Sequence, residues 1–385
     1  MDVAISSCRT YDDGEVEASL RDALAQIDAL SFVTPGMRIA IKVNLVTAMK
    51  PDTAATVHPA VVCALVRLLR ERGAEVVIGD SPGGVYTAAY LRLVYDVCGM
   101  RQAEQYGAKL NDDYSVEEVE APNAHIAKQF PFTGYLHKAD AVIDLCKLKT
   151  HGMMGMSCAV KNMFGCIPGT LKPEFHYKYP RAEDFADMLV DLFEYVQPQL
   201  SICDAVVAME GNGPTQGSPR AVGCLLASRS GHQLDAAAAR LIGLSFADVP
   251  TLAAAQRRGL LPADAAEVSV SEDAERFAVM DFQTVPAQSS VNFHILGNGP
   301  IGKLFDPMLE RILTPFPKLE APHCVGCGKC GNICPAKAIT MKKRRPQIDR
   351  RKCIHCFCCQ EFCPKGAMTV GHTAIMRLVR KRLSH

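Results

Sequence analysis

Nine of the 17 cysteines in this 385-residue chain crowd into the stretch from Cys324 to Cys363. Eight of these nine form two copies of one pattern, C-x-x-C-x-x-C-x-x-x-C-P. The first copy is Cys324, Cys327, Cys330 and Cys334-Pro335; the second is Cys353, Cys356, Cys359 and Cys363-Pro364. Apolar positions repeat with them, Val325 matching Ile354, Ile333 matching Phe362 and Ile339 matching Met368. Thiolates bind soft metals, and three at such short intervals can wrap three irons of a cubane cluster. Structural zinc usually takes two separated pairs of ligands, so zinc fits this spacing less well. Gly326, Gly328 and Gly331 ease tight backbone wrapping around sulfur. Cys358 stands outside the repeat as a spare thiol.

At these residues the chain resembles the bacterial two-cluster ferredoxins, and the resemblance implies two [4Fe–4S] clusters. In that arrangement the fourth cysteine of each run serves the other cluster. One cluster is then held by Cys324, Cys327, Cys330 and Cys363, the other by Cys353, Cys356, Cys359 and Cys334. Such crossing staples a module too small to hold itself together by its core. Residues 318–385 carry 15 Lys and Arg against 3 Asp and Glu, although the whole chain has 42 against 41. Two oxidised clusters with their thiolates contribute only roughly −2 each. The module therefore stays basic and should attract an acidic surface, and the expected partner is a ferredoxin-like or other acidic electron donor. Nucleic acid is not expected: the basic run Lys342–Arg345 lies between the cluster motifs, and the chain has no Trp.

A second constellation lies upstream. Lys149, His151, Lys161 and His58 are the candidate catalytic residues: the lysines to hold negative charge, the imidazoles to carry a proton near neutral pH. Lys42, Asn44, Asp80, Ser81, Lys147, Asn162, Glu210 and Asn212 are the candidate substrate-binding residues, with Asp204 nearby in sequence to orient a histidine. Cations and amide donors set among glycines suit a small anionic substrate, phosphate or carboxylate. Gly79-Asp-Ser-Pro-Gly-Gly has the wrong spacing for an ATP-binding loop or a dinucleotide fingerprint. A flavin stays open as a second cofactor, although no residue pattern demands one. Cys146, Cys158 and Cys166 lack the compact loop that a third cluster would need.

These residues need a scaffold, and the hydrophobic pattern supplies one. Strands are expected at 38–45, 75–80, 139–145, 200–209 and 221–227, and helices at 59–72, 86–99, 185–195 and 235–244. Such alternation predicts an α/β body with a layered, mainly parallel sheet, whose ligands gather just beyond the strand ends. The expected division is an α/β body over 1–285, a Pro/Gly-rich linker over 286–318 with a short helix at 307–313, a small α+β ferredoxin-like domain over 319–371, and a basic amphipathic tail over 372–385. The tail is expected to pack on the ferredoxin part, with contact to a membrane surface or an acidic partner as its sharper alternative. No apolar run is long enough to span a bilayer, and the N-terminus lacks a signal sequence, so a cytoplasmic protein is expected.

Over residues 38–230 the chain also resembles the domain-of-unknown-function family 362, through Lys42-Val-Asn44, Gly79-Asp80-Ser81-Pro-Gly-Gly, Lys147-Leu-Lys149-Thr-His151, Lys161-Asn162 and Glu210-Gly-Asn212-Gly-Pro. That resemblance implies an iron–sulfur protein of undefined activity. The leading expectation is an oxygen-sensitive oxidoreductase that passes single electrons from the clusters to an anionic substrate or a second cofactor in the α/β cleft. Alternatives are a non-enzymatic electron carrier or assembly partner that uses the body as a docking platform, and a cofactor- or metal-handling body with a structural ferredoxin part.

Overall fold

The computed structural model describes residues 1–271, 274–285, 314–371 and 373. Most of the expected linker, its helix at 307–313 and nearly all of the basic tail lie outside the described residues. The body strands are β1 (Val3–Ser7), β2 (Arg38–Val43), β3 (Glu75–Gly79), β4 (Lys109–Leu110), β5 (Val116–Glu120), β6 (Gln129–Thr133), β7 (Ala141–His151), β8 (Gly155–Ser157), β9 (Leu200–Glu210) and β10 (Ser218–Ser228). Eight of them form one sheet in the order β1-β10-β9-β7-β2-β3-β4, with β8 on the end of β7, while β5 and β6 make a separate hairpin. The pairs β9–β7, β7–β2, β2–β3 and β3–β4 are parallel. β10 and β1 continue the sheet antiparallel. The body is thus an α/β domain with a mainly parallel sheet.

Why the sheet is central follows from the period of two. On β2, Ile39, Ile41 and Val43 join one apolar cluster, with the helices Asp13–Gln26 and Pro59–Glu71, while Ala40 joins the other. On β7, Ile143 and Leu145 point to the first side and Val142, Cys146 and Leu148 to the second, under the helices Ala182–Val196 and Gly231–Leu241. Successive side chains point to opposite faces, so a strand covered on both faces is apolar on both wherever no ion pair or amide satisfies a polar side chain. The helix Pro59–Glu71 begins at His58, whose ring accepts from the amide of Ala60, and places Pro59 at its first position, where a missing N–H costs nothing.

One expectation needs correction. Lys147, Lys149 and His151 were expected in a loop beyond a strand ending at Leu145; they lie inside β7. β8 folds back and pairs Ser157 with Lys149 and Gly155 with His151, which carries strand geometry well past the parallel region. No helix of the described residues is long and apolar enough to cross a membrane.

The C-terminal module is built from two antiparallel pairs, β11 (Phe316–Leu319) with β14 (Met368–Gly371) and β12 (Ile339–Lys342) with β13 (Arg345–Ile348). Two short helices, Lys329–Ile333 and Cys358–Glu361, follow the first loops of the two cysteine runs. Cys330, Cys359, Ile339 and Met368 form its small core. Gln360, fully buried, seats the module on the body: its amide donates to Asn212 O (3.0 Å), Asn212 Oδ1 (2.9 Å) and Gly213 O (3.1 Å). Thr215 donates to Glu361 O and Gln216 to Cys363 O, both at 3.2 Å.

Candidate functional site

A cavity of about 800 Å³ opens between the sheet's carboxyl ends and the cysteine module. The body contributes Lys42, Asn44, Asp80, Ser81, Lys149, His151, Lys161 and Asn162, and also Lys172 and His176. The module contributes Lys329, Asn332, Cys358, Glu361, Phe362 and Cys363. Most of the sequence-derived candidates therefore share one chamber with a cysteine of the second run.

The floor of the chamber is a relay of hydrogen bonds. Asn162 donates through Nδ2 to Asp144 Oδ1 (2.7 Å), and its Oδ1 accepts from Lys42 Nζ (2.8 Å) and Asn44 Nδ2 (2.9 Å). Asn44 Oδ1 in turn accepts from Lys149 Nζ at 2.6 Å, and Ala55 O accepts from the same ammonium at 2.7 Å. An ammonium only donates, so each amide is fixed in one orientation. Lys42 is also paired with Asp80 at 2.8 Å, both buried. Burial pulls the Lys149 pKa down to about 7 and the Lys172 pKa down to about 8. Lys161 is half-buried and its ammonium lies over the Phe164 ring at 4.7 Å; among the described residues no carboxylate pairs with it. Burial lowers its pKa too. On the body's side of the chamber an anion would therefore find one committed lysine, Lys42, and three whose charge it could stabilise, Lys149, Lys161 and Lys172.

His151 Nδ1 accepts from the amides of Met153 (3.1 Å) and Met154 (3.2 Å), which leaves the proton on Nε2. Nε2 stands 2.8 Å from Glu361 Oε1 but is too bent for a hydrogen bond. Burial pushes the His151 pKa down. Burial would raise Glu361, but the His151 contact and the charges of His151 and Lys161 outweigh it and hold that carboxyl at about 2. His176 is buried, stacked on Phe185 at 4.2 Å, and burial holds it neutral with a pKa of about 3.

Four sequence candidates lie elsewhere. His58 stacks on Tyr11 at 3.7 Å and donates its backbone amide to Asp204. Lys147, level with Asp204 on the neighbouring strand, pairs with it at 2.8 Å and donates to Tyr11 Oη at 2.7 Å. These residues fasten the N-terminal segment to β7 and β9, away from the chamber. Glu210 accepts from the amide of Gln283, and Asn212 is occupied by Gln360. Close packing requires two of the glycines: a side chain at Gly165 would strike Asp80 and Lys42, and one at Gly169 would strike Pro82 O. Gly165 also lines the chamber. Lys172, His176 and Glu361 were not singled out from the sequence; Glu361 was hidden inside a metal motif, where an acid reads as filler.

The cysteines divide as well. Cys324, Cys327, Cys330 and Cys363 line one small cavity, so the fourth cysteine of the second run does join the first three of the other. Burial raises the Cys353 and Cys359 thiols, and Cys356 and Cys334 lie close enough to both to push them up further. Four thiols around one cavity are the donor set an iron–sulfur cluster needs. Cys166 does not approach Cys146 and Cys158; Cys203 does, with Cys158 3.4 Å from each of Cys146 and Cys203.

Comparison with known proteins matches residues 39–240 to the domain of unknown function DUF362 and residues 323–367 to a 4Fe-4S dicluster domain. A thylakoid-associated protein of Synechocystis is 34% identical over 292 residues, which cover 74% of this chain and 87% of that protein. Among solved structures, the lactate racemase apoprotein of Thermoanaerobacterium thermosaccharolyticum aligns with a TM-score of 0.38 at 10% identity, over 61% of this chain and 55% of that one. A Thermotoga maritima protein aligns with a TM-score of 0.34 at 13% identity, over 56% of this chain and 55% of that one. The chain thus spans little more than half of these two structures. It belongs to the DUF362 family and carries a 4Fe–4S ferredoxin-type module for electron transfer.

Proposed function

We propose that this DUF362 protein is an oxidoreductase in which two [4Fe–4S] clusters pass single electrons to a small anionic substrate in the chamber. One cluster would be held by Cys324, Cys327, Cys330 and Cys363, the other by Cys353, Cys356, Cys359 and Cys334. When bound, the clusters supply electrons one at a time; the chain supplies position, charge and protons. The observation that carries this reading is that Cys363, a cluster ligand, shares the chamber wall with Lys149, His151 and Lys161. Lys161 and Lys149 hold the anion, which favours their protonated forms in a site where burial alone disfavours them. Electron addition builds negative charge on the substrate; the Nε2–H of neutral His151 donates a hydrogen bond to that charge, and the proton itself comes from the Lys149 ammonium, whose pKa of about 7 suits it to release one. Glu361 stands beside the His151 ring and orients it. Asn44 and Asn162 keep Lys149 aimed, and Phe362 and Phe164 limit water.

The test begins with anaerobic holoprotein reduced by dithionite and desalted. Cell-extract fractions of small molecules are scanned for one that reoxidises it, and the compound is identified by mass spectrometry. Lys161→Gln and His151→Gln should each slow reoxidation by that compound at least about 100-fold, the scale of one preorganised electrostatic or acid–base contribution. Iron content and cluster spectra should stay unchanged. If both variants reoxidise at the parental rate, the chamber is not the site, and a simple electron carrier is the better description.

A further inference from the structure

The cavity shared by Cys324, Cys327, Cys330 and Cys363 has two outlooks. Cys363 faces the chamber, whereas Cys327 does not line it and is exposed to solvent. Around it, Val325 is 51% and Met341 38% exposed, and both line the same small cavity as the four sulfurs. The β12–β13 hairpin brings its tip to this loop. A side chain at Gly326 would strike Arg344 O at 2.5 Å, and Arg345 donates to Cys324 O at 2.8 Å. Lys342, Lys343 and Arg344 therefore stand exposed beside Val325 and Cys327. The result is a small apolar patch over a metal-ligating sulfur, rimmed by cations.

Short-lived electron-transfer encounters bury little area and rely on complementary charge for speed and orientation. We propose that this face receives an acidic one-electron carrier protein, with Val325 and Met341 meeting the apolar edge of its redox centre and Lys342, Lys343 and Arg344 meeting its carboxylates. In the encounter one electron leaves the reduced carrier, which is oxidised by one unit, and the module is reduced by one; no bond or proton moves. Two features favour a protein over a bilayer. The apolar contribution is only two side chains, too little to enter the acyl region, and it surrounds a sulfur that has no use for lipid. The proposal rests on the iron–sulfur part of the reading above and not on the chemistry of the chamber.

Anaerobic holoprotein is immobilised, and its affinity for an acidic plant-type [2Fe–2S] ferredoxin is measured from 20 to 300 mM salt. Lys342→Glu with Lys343→Glu should weaken binding at least about tenfold at low salt and flatten the salt dependence. Lys342→Arg with Lys343→Arg should bind like the parent, as should Arg72→Glu, an exposed change elsewhere on the body. Met341→Ser should weaken binding several-fold with the salt dependence intact, which reports the patch independently of the hairpin charges. Unchanged affinity in the charge-reversed and Met341 variants overturns the assignment. So does a loss confined to phosphatidylglycerol vesicles, which would make the face a lipid contact. Iron content decides the underlying reading separately: protein without iron removes the clusters, whereas full iron with unaltered ferredoxin affinity removes only this face.

Discussion

The contact that seats the cysteine module on the body can be weakened at two lining residues of the chamber, Thr215 and Gln216, without changing a cysteine or any of the chamber's lysines and histidines. Thr215→Val and Gln216→Leu together remove two hydrogen bonds, to Glu361 O and Cys363 O, each 3.2 Å long. A hydrogen bond of this kind contributes about 1 kcal/mol net, so the pair contributes about 2 kcal/mol. Each 1.4 kcal/mol is a tenfold change, so the population in which the module lifts from the body should rise about 30-fold. Hydrogen exchange of the amides in 358–363 follows that opening, and their rates should increase by the same factor while amides of β7 keep theirs. Reoxidation by the chamber substrate should fall, with iron content and cluster spectrum at parental values. Unchanged exchange in 358–363 would show that these bonds do not hold the module and would refute the reasoning. Loss of iron would equally refute it, because the body would then be part of the cluster scaffold.

Other outcomes follow from single residues. Lys149 has a folded pKa near 7 against 10.5 for a free lysine. Between those values the unfolded chain holds a proton the folded chain lacks, so this residue makes stability rise with pH, by at most about 1.4 kcal/mol per pH unit. Urea titrations at pH 7, 8 and 9 should show that Lys149→Met removes this slope. Lys147→Met should strand the buried Asp204 carboxylate and cost about 3–5 kcal/mol in urea denaturation; a cost below 1 kcal/mol would mean that the pair is not a fastening. Cys358→Ser should keep the parental iron content, whereas Cys363→Ser should lose up to half of it by colorimetric iron assay, because only Cys363 lines the cavity of the first cysteine run.

The amino-acid pattern disclosed a good deal, and unevenly. The cysteine runs were legible because metal ligation dictates spacing locally, whereas the crossing of Cys363 to the first run came from the resemblance to two-cluster ferredoxins and not from the spacing. The parallel strands β2, β3, β7 and β9 were legible because strands covered on both faces are rich in apolar residues on both. The antiparallel edge was less so: β1 is a five-residue strand whose partner, β10, lies more than 200 residues away. The extension of β7 through Lys147, Lys149 and His151 could not be read from hydrophobicity, since its side chains are satisfied by ion pairs and amides instead of by apolar neighbours. The same blindness explains His58 and Lys147. Residue type marks them as reactive, but only the fold reveals that Tyr11 and Asp204 already occupy them.

The chamber has one wall that is stiff and one that is only seated. β7 is hydrogen-bonded to strands on both sides and to β8 at its end, so Lys149 and His151 have little freedom to move apart. The opposing wall rests on side chains of the loop 212–216 and on Gln360. Any movement of the seated wall carries Cys363 with it, since Gln216 holds that residue by its carbonyl, and so alters the distance between this sulfur and the fixed Lys149 and His151. On the proposed reading, the looseness of one seam then sets the spacing between donor and acceptor.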